Sequence, residues 1–117
     1  MQLSRTFITS VEALSEARRA QNQRYLEFLR IPMMSAGLYA LDAGATDPQM
    51  PHTEDEIYYV VSGRGRFRLE EQDYAVAAGS VIFVPALSEH RFHNIEEALT
   101  IVVIFAPAET THASPST

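Results

Sequence analysis

The stretch "MPHTEDEIYYVVSGRG", residues 50–65, sets a histidine and three acids directly against a run of β-branched and aromatic residues that closes on two glycines. Such a run favours the pleated, half-buried surface of a strand. Successive side chains of a strand point to opposite faces, so an inward Glu56 carries Tyr58 and Val60 inward with it and leaves Asp55 outside. The stretch is therefore either a solvated acidic loop leading into a strand, or a strand that delivers a carboxylate to an interior.

The chain around it has the same punctuation. "RYLEFLRI" alternates, Pro32 interrupts, and "MMSAGLYAL" resumes before the turn-rich "DAGATDPQMP". Further strands are expected over 56–62, 64–70, 74–77, 80–84, 89–93 and 98–105, with turns at 62–65, Ala78-Gly79 and Pro85-Ala86. Short strands without intervening helices imply an antiparallel sandwich or barrel, and the unbroken run "LTIVVIFA" implies a strand buried on both faces. A single helix is expected over 9–23, with Thr9 and Glu12 as a capping box and Val11, Leu14, Ala17 and Ala20 on one stripe. The organisation expected is an N-terminal extension with that helix over 1–23, a barrel over 24–106 and a flexible tail over 107–117, in which His112 is solvated.

Length and composition limit the partners. A chain of 117 residues, 46% hydrophobic, holds one core rather than two. A formal net charge of −6 without a basic cluster gives no footprint for nucleic acid or an anionic membrane. The longest apolar run is too short to span a bilayer, and the N-terminus lacks the apolar core of a signal peptide, so a cytoplasmic protein is expected. There is no cysteine, which removes thiolate chemistry and disulfides, and all nine basic residues are arginine, which removes Schiff-base catalysis. Histidine, carboxylate, tyrosine and arginine remain.

Neutral imidazole and ionised carboxylate are the ligands that suit iron, manganese, nickel, copper and zinc. His52 and Glu56 lie four apart, and His90 opens a later strand on which an inward His90 implies an inward Phe92 with Arg91 and His93 outside. Two histidines, a carboxylate and an aromatic lining make a small-molecule pocket of familiar composition. Residue pattern alone leaves the solvated reading open.

The spacing closely resembles the two motifs of the cupin superfamily, in particular its small single-domain members. The first motif, G-x5-H-x-H-x3-E-x6-G, is matched by Gly44, His52, Glu56 and Gly63, with Met50 where the first histidine belongs. The second, G-x5-P-x-G-x2-H-x3-N, is matched by Gly79, Pro85, His90 and Asn94, with Leu87 in place of the middle glycine. Fifteen residues, Arg64 to Ala78, separate the two.

The resemblance implies an all-β double-stranded β-helix, or jelly-roll, barrel around one divalent metal ion. His52, Glu56 and His90 fall on ligand positions, and Met50 falls on the fourth, as a soft ligand or an apolar wall of the substrate pocket. Tyr58, which shares parity with Glu56, is the candidate catalytic phenol, and Phe92 shapes the pocket beside it. Ferrous iron is the first choice of metal, with manganese, nickel, copper or zinc as alternatives. Dioxygenase-type chemistry on a small organic molecule is the expected function; isomerase, cyclase or lyase chemistry through the same Lewis acid, or non-catalytic ligand binding, are the alternatives. Surplus apolar surface, and the habit of the family, imply a homodimer. Glu54 and Asp55 are expected to face solvent, His93 to lie at the surface, and Arg64, Arg66 and Arg68 to form a solvated outer stripe.

Overall fold

The computed structural model describes residues 6–110. One helix, α1 (Val11–Ala20), precedes six strands: β1 (Tyr25–Ile31), β2 (Met34–Leu41), β3 (Asp55–Leu69), β4 (Gln72–Ala77), β5 (Val81–Val84) and β6 (His90–Ala106). All pairings are antiparallel, in the order β1-β2-β6-β3-β4, with β5 on the free edge of the first half of β3. The fold is mostly β, with one short helix and an antiparallel sheet curled around one core, consistent with a jelly-roll barrel. No helix among the described residues is long and apolar enough to cross a membrane.

Local chemistry sets most boundaries. The helix is capped by Ser10, whose hydroxyl accepts from the Ala13 amide at 3.1 Å, one residue later than the capping box expected at Thr9. Pro32 and Met33 form a two-residue hairpin loop between β1 and β2, since Ile31 pairs with Met34.

The stretch 62–65 is a correction. The turn expected there is a set of register shifts inside one continuous fifteen-residue strand, β3. Gly63 has φ +93°, and a Cβ on it would lie 2.0 Å from the Ala98 carbonyl oxygen, so glycine is needed for close approach to β6 rather than for a turn. Likewise 89–93 and 98–105 are parts of a single strand, β6, in which Asn94 takes φ +47° beside the bulge. The run 98–105 is not equally buried on both faces: Leu99, Ile101, Val103 and Phe105 are buried and Thr100, Val102 and Ile104 half-buried.

These bulges position the site. Glu56 pairs with Phe105 at one end of the β3–β6 ribbon, and Leu69 pairs with His90 at the other. A straight ribbon would put thirteen residues, or about 40 Å, between Glu56 and His90. Instead the carboxylate oxygen of Glu56 lies 3.3 Å from His90 Nε2. The ribbon bends at its irregularities until both ends face one interior, as bulges permit.

Residues 107–110 also depart from expectation. The chain leaves β6 through a cis Ala106–Pro107 bond and packs back, with Ala108 and Glu109 buried. Residues 111–117, including His112, lie outside the described residues.

Candidate metal centre

The strand parity read from the sequence holds. Glu56, Tyr58 and Val60 of β3 are buried, as are His90 and Phe92 of β6, while Asp55 and Arg91 are exposed and His93 is half-buried. His52, in the loop entering β3, is also buried, its ring edge-on to Phe105 at 5.0 Å between centroids. His52, Glu56 and His90 each offer a ligand atom, all within 4.8 Å of one another. Tyr58, Phe67 and Phe92 pack in mutual edge-to-face or tilted contacts at 4.7–5.7 Å and close one side of the cluster.

Met50 does not enter this cluster. It is 61% exposed and lines a cleft of about 640 Å³ that also touches Gln49, Arg68, His90, Arg91 and His93. The residue brought between the histidines is its neighbour Gln49, whose Oε1 lies 3.4 Å from His52 Nε2 and 3.3 Å from His90 Nε2. Its orientation is fixed by the other end of the amide, where Nε2 donates to Tyr58 Oη at 2.7 Å and to Asp47 Oδ2 at 3.3 Å. Asp47 is buried and also accepts from Tyr39 Oη at 2.5 Å and from the Phe92 amide at 2.9 Å. An acceptor-only carboxylate at that place favours the amide nitrogen there and the amide oxygen toward the histidines. Nothing in the spacing of 44–56 distinguishes Gln49 from its neighbours; a signal available was its place one residue from the motif position that Met50 breaks.

The acids 54 and 55 part company. Asp55 faces out and accepts from the Ala86 amide at 2.8 Å. Glu54, expected in solvent, is buried and accepts from Thr53 Oγ1 and from both the amide and the hydroxyl of Thr110 at 2.7–2.9 Å. The returning segment also brings Glu109 Oε2 to 3.4 Å from His52 Nδ1. Of the arginine stripe Arg64 and Arg68 are exposed as expected and Arg66 is half-buried, with Arg64 paired to Glu96 and Glu97 and Arg66 to Asp73.

The proton inventory exposes an imbalance. His90 Nδ1 lies 2.9 Å from the Ser88 carbonyl, which can only accept, so Nδ1 carries a proton and Nε2 of the neutral ring is a bare lone pair. That lone pair faces the Gln49 and Glu56 oxygens, each at 3.3 Å. Both Glu56 oxygens are buried and neither is in a well-formed hydrogen bond among the described residues, the His90 nitrogen at 3.3 Å being a partner only if it carries a proton. Beyond Glu56 is a gap too narrow for water, walled by Tyr25, Tyr39, Tyr58 and Phe105. Acceptors converging in a dry interior require a cation between them, either a proton or a metal ion. Burial alone would lower the His90 pKa, but Glu56, the Ser88 carbonyl and Asp47 more than offset it and hold it above the ordinary histidine value. Burial, with the charges of Glu56 and Asp47, pushes the Tyr58 phenol well above its usual pKa and keeps it protonated. The donor set of two imidazoles and a carboxylate fits a divalent transition metal.

Comparison with known proteins agrees with this architecture. The chain is 53% identical over 96 residues to the Streptomyces coelicolor protein SCO3923, spanning 81% of this chain and 91% of the relative. Among solved structures, Bacillus halodurans BH2720 superposes with a TM-score of 0.73 at 18% identity, covering 89% of this chain and 83% of that one. The DMSP lyase DddQ of Ruegeria pomeroyi gives 0.64 at 18% identity, covering 71% of this chain and 47% of that chain. At these identities the two structures speak to fold alone. The profile of the cupin domain matches residues 37–112, from the middle of β2 past the packed segment that follows β6, and so takes in every residue of the buried cluster: the chain belongs to the cupin family.

Proposed function

We infer that this cupin binds one divalent metal ion through His52, Glu56 and His90 and is a metal-dependent enzyme acting on a small organic molecule. The observation that carries the reading is the convergence of the buried His52, Glu56 and His90 side chains, whose ligand atoms all lie within 4.8 Å of one another, with neither Glu56 oxygen in a well-formed hydrogen bond among the described residues. Ferrous iron is the first choice, because two imidazoles and one carboxylate with positions left open suit it; manganese, nickel, copper and zinc accept the same donors. When bound, such an ion supplies Lewis acidity toward a substrate oxygen or reactivity toward dioxygen, which puts dioxygenase-type chemistry first. An isomerase, cyclase or lyase reaction through the same acidity is the second reading, for which the fold shared with a DMSP lyase is support of fold only.

The chain's own residues would do the rest. The Ser88 carbonyl fixes the His90 tautomer, and Glu109 beside His52 Nδ1 orients the other ring. Phe67, Phe92 and Phe105 exclude water from the donor atoms. Tyr58 keeps its proton at working pH, so it acts as a hydrogen-bond donor and not as a base. A substrate would approach through the cleft beside Met50, which Arg68, His90 and Arg91 also line.

A homodimer completes this reading. Ile57, Tyr59, Val81 and Phe83 are 41–69% exposed and adjacent in register on the outer face of β3 and β5. Further along that face Ala36 and Leu38 are buried, and α1 packs against β1 and β2. The open end is what a second copy would cover.

The test is metal analysis of protein purified without added metal, beside His52→Ala and His90→Ala. Stoichiometric metal in the wild type and none in folded variants is expected; a wild type that neither retains nor takes up a divalent ion overturns the reading. Oxygen uptake or product formation on candidate substrates then separates an enzyme from a binding module.

A further inference from the structure

The family motif's fourth ligand position falls on Met50, whose side chain is mostly exposed and outside the buried cluster. The geometry of the loop before β3 nevertheless fills the fourth corner. Gln49 is buried, and its Oε1 stands between the Nε2 atoms of both histidines. We propose that the Gln49 side-chain oxygen is the fourth protein ligand of the metal, an inference that rests on the metal-binding reading above.

Three observations carry it. Turning the amide nitrogen toward the histidines would set its oxygen against the Asp47 carboxylate, so Asp47 favours the orientation in which the nitrogen donates to Asp47 and Tyr58 and the oxygen faces inward. Asp47 is itself anchored by Tyr39 and by the Phe92 amide, so the loop is tied to β2 and to β6, the strand that carries His90. Gln49 Oε1 lies 3.4 Å from His52 Nε2 and 3.3 Å from His90 Nε2, and the His90 nitrogen is also 3.3 Å from Glu56, so the oxygen converges with the three candidate ligands on one interior point.

The chemistry differs from what either methionine or histidine would give. A thioether would bias the site toward soft ions, whereas a neutral amide oxygen biases it toward harder ones such as manganese and ferrous iron. An amide oxygen is also a weaker donor than imidazole, so it leaves the metal the more electron-poor and the better Lewis acid. The loop has moved the ligand by one residue in sequence and replaced nitrogen with oxygen, keeping a four-donor cage.

Cobalt(II) is the probe, because its visible bands report donor type and geometry and its affinity is measured by competition with a chromophoric chelator. The wild type, Gln49→Leu, Met50→Leu and His90→Ala are compared, each checked for fold by circular dichroism and thermal melting. Coordination by Gln49 predicts that Gln49→Leu weakens cobalt at least about tenfold and shifts the visible bands, while Met50→Leu changes neither. Unchanged bands in Gln49→Leu, with or without weaker binding, overturn the inference and leave the metal site standing, because Gln49 would then only position its neighbours. A band shift in Met50→Leu with none in Gln49→Leu assigns the ligand to sulfur and likewise overturns it. Absence of cobalt binding by the wild type overturns both this inference and the reading on which it rests. Zinc-loaded protein labelled at the glutamine side-chain carbonyl carbon gives an independent readout. One carbonyl resonance, missing in Gln49→Leu, must move on zinc addition to wild type; if it stays fixed, the oxygen is not a ligand.

Discussion

The backbone amide of Leu87 donates to the carbonyl of His52 at 2.7 Å, joining the loop that precedes β3 to the turn that precedes His90. Leu87 makes this bond with φ +70°, in the left-handed region where a side chain crowds the following carbonyl. It stands where the second cupin motif has glycine, so the motif's glycine and this leucine serve one backbone conformation, and the leucine holds it under strain.

Replacing the leucine therefore stabilises the protein. Its side chain is 68% exposed, so Leu87→Gly forfeits little burial. Relief of left-handed strain, less the greater chain entropy of glycine when unfolded, leaves a gain of about 1 kcal/mol. Thermal unfolding should show a melting point a few degrees higher. A lower one would mean that the leucine contributes packing that its exposure does not reveal.

The fold was legible where a period existed. Alternation along 56–60 and 90–93 assigned the inward faces of β3 and β6, because a one-residue slip would have put every polar group in the core. Gly63 misled because glycine marks both turns and close backbone approaches, and only the partner strand, through the Ala98 carbonyl, distinguishes them. The strand end holding His90 was legible, whereas the loop holding Gln49 has no period, and which of two neighbours turns inward is decided by Asp47 and Tyr58 from elsewhere in the chain. Glu54 and Glu109 were hidden for a related reason. Their burial depends on where the chain returns after β6, and a composition rich in Thr, Ser and Pro suggested that it did not return at all.

That return is testable at Glu54. Its carboxylate holds the amide and hydroxyl of Thr110, and no charge is otherwise tolerated at its burial. Thr110 is exposed, so its freed donors turn to water, and Glu54→Ala should destabilise the protein by only the net worth of the lost hydrogen bonds, about 0.5–1.5 kcal/mol each. Hydrogen exchange at the Thr110 amide should speed up much more than at the amides of β6. Equal protection in both proteins would show that 107–110 is held by the burial of Ala108 and Glu109 instead.

The acid limb of stability should carry a contribution from Asp73 on β4. The hydrogen bond from His93, with Arg66 beside it, holds its carboxyl below the ordinary value of 3.8. A folded-state pKa below the unfolded one means that the folded protein binds fewer protons. The contribution is thus present above the unfolded value and lost as pH falls through the folded one. Denaturant titrations of wild type and Asp73→Asn should therefore differ at pH 6 and converge toward pH 2. A constant difference across that range would show that the carboxylate's charge plays no part.

The outer face of β3 and β5 is where the proposed dimer can be tested. Val81 opposes Tyr59 and Phe83 opposes Ile57, so four large apolar side chains form one exposed block beside the half-buried Val102 and Ile104 of β6. An isolated exposed valine needs no explanation, but a contiguous block on a sheet face does. If a second copy covers it, Phe83→Glu places a charge at the centre of the interface, where leaving it unpaired costs more than the contact gains. Light scattering should then report a dimer for the wild type and a monomer for the variant. Because position 83 is 56% exposed in the single chain, the melting point of the variant at low concentration should match that of the dissociated wild type. A wild type that is already monomeric at high concentration would assign the face to some other cover, and a variant that stays dimeric would move the interface elsewhere, to exchanged N-terminal strands first, because β1 forms the open edge of the sheet order.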